Sequence, residues 1–197
     1  MAALMISAVQ SFAAKLDLKS IMRGEFFADA MASLKPLDDG ESYSQVSSDG
    51  TKILKYSFKT GKQTGVIFDL NNVRGPKIRI NSIDGYIFSP DGKRILIQTD
   101  TRYIYRRSFT ATYYIYEVEN NKMGPLSVGG EQQTPLFSPD GNMIAFVRQN
   151  NIFLVKLLYD NAESQVTKDG RRNEIINGIP DWVNEEELSR ATALSFT

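Results

Sequence analysis

From about residue 30 onward the chain is written in short runs of aromatic and β-branched residues, apolar and polar positions alternating, with Asp-Gly turns between the runs. A period of two bounded by such turns predicts antiparallel strands joined as hairpins, and helical periodicity is nearly absent there. The turns recur as Ser48-Asp49-Gly50, Ser89-Pro90-Asp91-Gly92 and Ser138-Pro139-Asp140-Gly141, with 42 and 49 residues between successive glycines. That period is close to one propeller blade. Each turn has the same neighbours. Tyr86-Ile87-Phe88 precedes the second and Arg94-Ile95-Leu96-Ile97 follows it, while Leu136-Phe137 and Met143-Ile144-Ala145-Phe146-Val147 flank the third. Val66–Leu70, Tyr113–Val118 and Ile152–Val155 supply a further strand to each unit.

The expected fold is therefore all-β: a partial β-propeller of three four-stranded blades, at about 30–72, 78–126 and 131–170, with the start of a fourth at 173–197. A propeller closes with roughly 4–8 blades. Three and a fraction cannot close, so a longer ring or a partner is expected to cover the open faces.

Composition narrows the chemistry. The 23 basic residues balance 23 acidic ones, which leaves no net field to gather nucleic acid or an anionic membrane. Zero histidine removes the commonest general base and any Ser-His-Asp triad, and zero cysteine removes disulfides, thiolate nucleophiles and Cys-rich zinc sites. No metal site and no cofactor are expected, since neither a calcium loop nor a glycine-rich phosphate loop is present. Residues 1–14 are small and apolar, with Ser11-Phe12-Ala13 in the small-x-small pattern of a cleavage site. They read as a signal peptide, its remnant, or a short N-terminal helix. As a signal they imply a secreted or periplasmic protein.

Two segments carry candidate chemistry. Asp181-Trp182-Val183-Asn184-Glu185-Glu186-Glu187 sets three carboxylates behind an aromatic. In a strand Glu186 and Glu187 would point to opposite faces, whereas on a helical turn they lie about 100° apart and converge on one cation. A primary ammonium, with three donors, suits such a pair. The plain alternative is a solvated acidic helix start. In Tyr103–Tyr113, Arg106 and Arg107 sit among aromatics that would stiffen a guanidinium aimed at a carbonyl or carboxylate; the plain alternative there is an exposed strand-end arginine. Trp182 is expected in blade packing, and Asp91 and Asp140 in turns.

Arg106-Arg107-Ser108-Phe109-Thr110-Ala111-Thr112-Tyr113, then Asp181-Trp182-Val183 with Glu185-Glu186-Glu187 about 75 residues later, on a Ser-Pro-Asp-Gly propeller, resembles the N-terminal propeller region of dipeptidyl peptidase IV, a serine exopeptidase family related to prolyl oligopeptidase. The resemblance runs from about Leu18 to Glu187. It implies an eight-bladed propeller over a C-terminal α/β-hydrolase domain, and removal of Xaa-Pro or Xaa-Ala dipeptides from free N-termini. By motif position it implies that Glu186 and Glu187 grip the substrate ammonium and that Arg106 binds the carbonyl of the penultimate residue. Fixing the amine at a set distance from the nucleophile makes the site a ruler, and N-acetylated peptides should be rejected.

The departures are equally specific. The family's Gly-x-Ser-x-Gly elbow, catalytic Asp and catalytic His are not in this chain, so no catalytic residue is assigned and the chain alone is expected to be inactive. Asn184 stands where the family usually has Tyr. Ala191–Thr197 ends where another Ser-Pro-Asp-Gly turn is expected, which reads as a truncated chain or fragment. Expected partners are peptides with a free N-terminus and Pro or Ala second, the hydrolase domain, and a second copy in a homodimer; no nucleic acid and no membrane span are expected. A rival reading makes the chain a non-catalytic propeller-like interaction module whose acidic run is a solvated face.

Overall fold

The computed structural model describes residues 16–28, 33–75 and 80–197. The predicted signal segment, residues 1–14, lies outside them. The described residues fall into two units, divided between Ser33 and Leu34. In the first, a five-residue helix α1 (Leu18–Met22) is started by Asp17, whose carboxylate accepts from the Ser20 amide at 2.9 Å. No helix among the described residues is long and apolar enough to cross a membrane.

The second unit holds three four-stranded antiparallel sheets, each a meander in chain order. The first comprises β1 (Lys35–Pro36), β2 (Ser42–Val46), β3 (Lys52–Ser57) and β4 (Gln63–Asp69). The second comprises β5 (Gly85–Phe88), β6 (Arg94–Tyr103), β7 (Phe109–Glu117) and β8 (Lys122–Pro125). The third comprises β9 (Gln133–Phe137), β10 (Met143–Arg148), β11 (Asn151–Lys156) and β12 (Ala162–Gln165). Beyond β12 the described residues form no further ladder, only an Arg171–Ile175 bridge and a short helix, α2 (Trp182–Leu188).

The turns explain the repeat. In Ser89-Pro90-Asp91-Gly92 the Ser89 hydroxyl donates to the Asp91 carboxylate at 2.6 Å, that carboxylate accepts from the Lys93 amide, and Gly92 takes φ +66°. The same bonds recur around Asp49 and Asp140. In each case the serine hydroxyl bond, with the amide bond behind it, holds the aspartate below the usual carboxylate range. These aspartates are structural, as expected.

Strand alternation then builds two cores. On β6, Ile95 and Ile97 point into a cluster with Ile53, Phe68 and Tyr86, while Leu96 points into a cluster with Tyr113, Phe137, Ile144 and Phe146. The middle sheet is thus covered on both faces, which is why β6 reads as an unbroken apolar run rather than an alternating one. The first two sheets are also tied by polar contacts. Ser44 Oγ lies 2.8 Å from the Tyr86 hydroxyl, and Lys35 donates to the Tyr86 carbonyl with its ammonium over the Tyr86 ring. Burial lowers the Lys35 pKa.

The linker between the first two sheets protects an edge. Arg74 pairs in parallel with Lys122, donating to the Asn121 carbonyl and accepting from the Met123 amide, each at 2.8 Å. Gly75 follows at φ +147°, where an added Cβ would collide with the Met123 carbonyl oxygen. Gly75→Ala should therefore lower unfolding free energy by about 2–4 kcal/mol, because both the backbone conformation and the space are wrong for a side chain. Urea unfolding checks this, with Gly124→Ala as control: Gly124 has open space and no positive φ.

Candidate functional site

The site is built where the middle sheet meets the segment after the third. β6 and β7 run on beyond their neighbours and join through residues 104–108, closed by the Ile104 and Tyr105 amides donating to the Ser108 carbonyl. This places Arg106 and Arg107 at the tip of a hairpin, both exposed.

Opposite stands α2. Asp181 caps it by accepting from the Asn184 amide at 2.8 Å and the Asn184 side-chain amide at 3.1 Å, which pulls its pKa down. Asn184, the departure from the family pattern, thus closes the first turn. The helix ends at Ser189, in the left-handed conformation at φ 56°. Its approach is anchored to the β10–β11 turn. Gly170 N donates to Asn151 Oδ1 at 2.9 Å and Asn177 N to the Asn150 carbonyl at 3.1 Å.

The helical turn that two converging carboxylates require is present. On it the three glutamates separate by about 100° each. Glu185 points into the protein, 3 % exposed, and one of its oxygens accepts from the amides of Arg107 and Ser108, both at 2.8 Å. Burial pushes its pKa up. The amides of Ser108 and Arg107, the dipole of the Ser108 hydroxyl and the Arg107 charge outweigh that, so the net direction is down. The Ser108 hydroxyl is itself buried without a hydrogen bond of acceptable geometry. Because the folded-state pKa is depressed, this contact stabilises the fold above the ordinary glutamate range and is lost only as pH falls below it.

Glu186 comes next, its side chain 20 % exposed, with Oε2 3.7 Å from Arg106 Nε; the Arg106 side chain is 72 % exposed. Glu187 is exposed. The structure therefore brings Arg106 and Glu186 together and sets Glu187 beside them on the helix. It adds Glu185, which the sequence reading left without a role. Two expectations need correction. Trp182 is 56 % exposed rather than packed in a blade, because the register that buries Glu185 turns the first residue of α2 outward. Arg106 is not stiffened by aromatic stacking; the cation–π contacts among the described residues belong to Lys35 and Arg148.

Between hairpin and helix lies a cleft of about 240 Å³ lined by Tyr105, Ser108, Ile179, Trp182 and Glu185 among others. No group of His, Cys, Asp or Glu among the described residues could hold a metal. The site offers one cationic fork beside two carboxylates, a charge pattern for a ligand with an ammonium next to a carbonyl.

Residues 89–197 match the family model described as "Dipeptidyl peptidase IV (DPP IV) N-terminal region". Over 177 residues the chain is 34 % identical to human prolyl endopeptidase FAP, covering 88 % of this chain and 22 % of that protein, and 33 % identical to the bovine one over the same shares. The crystal structure of Porphyromonas gingivalis dipeptidyl peptidase 4 superposes with a TM-score of 0.82 at 38 % identity, covering 91 % of this chain and 26 % of that one. The sheets are thus blades of a partial β-propeller, and the chain spans about a fifth of the length of the curated relatives it matches.

Proposed function

The chain belongs to the dipeptidyl peptidase IV N-terminal region family, and from that membership we propose that it is the substrate-recognition part of a serine peptidase that releases Xaa-Pro or Xaa-Ala dipeptides from free N-termini. The observation that carries the reading is the Arg106–Glu186 pair at 3.7 Å, with Glu187 one residue on. In this reading a terminal ammonium enters between Glu186 and Glu187 and displaces the guanidinium, which then offers its donors to the first carbonyl of the peptide. An ammonium with three donors satisfies two carboxylates at once. A 197-residue chain without histidine supplies no triad, so bond cleavage falls to a C-terminal α/β-hydrolase domain, and recognition here only places the peptide for it. Export to the periplasm or the exterior and pairing with a second copy belong to the same proposal.

The test is titration of the chain with the tripeptide Ile-Pro-Ile. Binding should weaken at least about 10-fold on N-acetylation and in Glu187→Ala, since each removes one side of a charge-assisted contact. It should also weaken as pH rises past about 8, where a free α-amine loses its proton. Equal affinity for the free and acetylated peptides would defeat the proposal and leave a propeller-like interaction module.

A further inference from the structure

One of three consecutive glutamates on α2 is withdrawn from solvent. The Glu185 carboxylate, 3 % exposed, spends one oxygen on two successive backbone amides of the opposite hairpin, Arg107 and Ser108. A buried carboxylate stripped of its donors is strongly unfavourable, so helix and hairpin cannot separate there without exposing the charge to an apolar setting or to water. The contacts are in register. Arg106 immediately precedes the two donors, Glu186 immediately follows the acceptor, and these two outer residues face each other.

We propose that Glu185 is a positioning residue: it sets the distance between Arg106 and the Glu186–Glu187 pair, and so the spacing between carbonyl donor and ammonium site. This rests on the reading of those three residues given above. Nothing else that joins hairpin to helix does so as tightly. The Arg106–Glu186 pair is long and its arginine exposed, and pairs of that kind hold geometry weakly. Asp181 fixes only the first turn of its own helix, and Asn150 and Asn151 hold the approach to α2 without touching the hairpin. The ruler is then cut by a residue that need not touch the ligand.

Glu185→Gln in the full chain tests this, because it keeps the size and one acceptor oxygen while removing the charge. The Arg107 and Ser108 amide resonances should move upfield, the Arg106 Nε–H resonance should move with them in the absence of any peptide, and affinity for Ile-Pro-Ile should fall about 10-fold, with the thermal midpoint changed by only a few degrees. If the amides move but the Arg106 resonance and the affinity do not, Glu185 is merely structural and the proposal is overturned; unmoved amides overturn it too. Should Glu187→Ala leave affinity intact, the recognition reading fails instead, and the peptide-free Arg106 resonance still decides the role of Glu185.

Discussion

Phe146→Ala should lower the free energy of unfolding by about 3–5 kcal/mol, the cost of deleting a fully buried aromatic and leaving its cavity. Phe146 is 0 % exposed at the contact between the second and third blades. Its ring lies parallel to Phe153 at 5.5 Å between centroids, and the Arg148 guanidinium stands 3.9 Å from the Phe153 centroid. Arg148 in turn binds Ser127 in the linker and Glu163 on β12. One ring therefore supports an apolar layer, a cation–π layer and the linker above it, and little of the site can collapse to fill the gap. Blades contact mainly their neighbours, so the loss should be regional. Hydrogen exchange should show the amides of β9–β12 losing protection first, while β2–β4, packed in the other cluster around Ile53 and Phe68, keep theirs. Uniform loss across all three blades would show that the sheets unfold as one body.

The three blades were legible because their information is local. A Ser-Pro-Asp-Gly turn fixes a reversal within four residues through its own side chains, and strand alternation then orients everything between two turns. The long β6–β7 hairpin was less evident. It depends on a register shift between Thr99 and Arg102, with Asp100 at φ 51°, which no local pattern announces. At the site, residue types and spacing pointed to Arg106 and Glu186, which do meet. The division of labour among the three glutamates was hidden for a physical reason. Consecutive helical residues point about 100° apart, so one of three must face the protein, but which one is set by where the hairpin stands across nearly 80 residues of sequence. The exposure of Trp182 follows from that same choice, and a preference for burying tryptophan could not foresee it.

Gly170→Ala should abolish most peptide binding while leaving the blades folded. An added Cβ at Gly170 would run into the Asn150 carbonyl and the Asn151 side chain, and the first of these is backbone that cannot turn aside. The Asn150 carbonyl already accepts from Asn177 N, Asn151 Oδ1 already accepts from Gly170 N, and the Thr167 hydroxyl accepts from Ile152 N. The collision must therefore push out residues 167–177 as a unit. Gly178 follows, packed against Val147, Ile152 and Leu194, and three residues later Asp181 begins α2. A shift of about 1 Å in that segment is enough to take Glu186 away from Arg106 and to draw Glu185 off the two hairpin amides, and misplacement of that size costs on the order of 100-fold where binding depends on geometry. Affinity for Ile-Pro-Ile should drop by about that factor, with far-UV circular dichroism unchanged because no ladder bond in the three sheets involves residue 170. Retained affinity would mean that α2 is held by the hairpin alone, through Glu185, and not by the turn behind it.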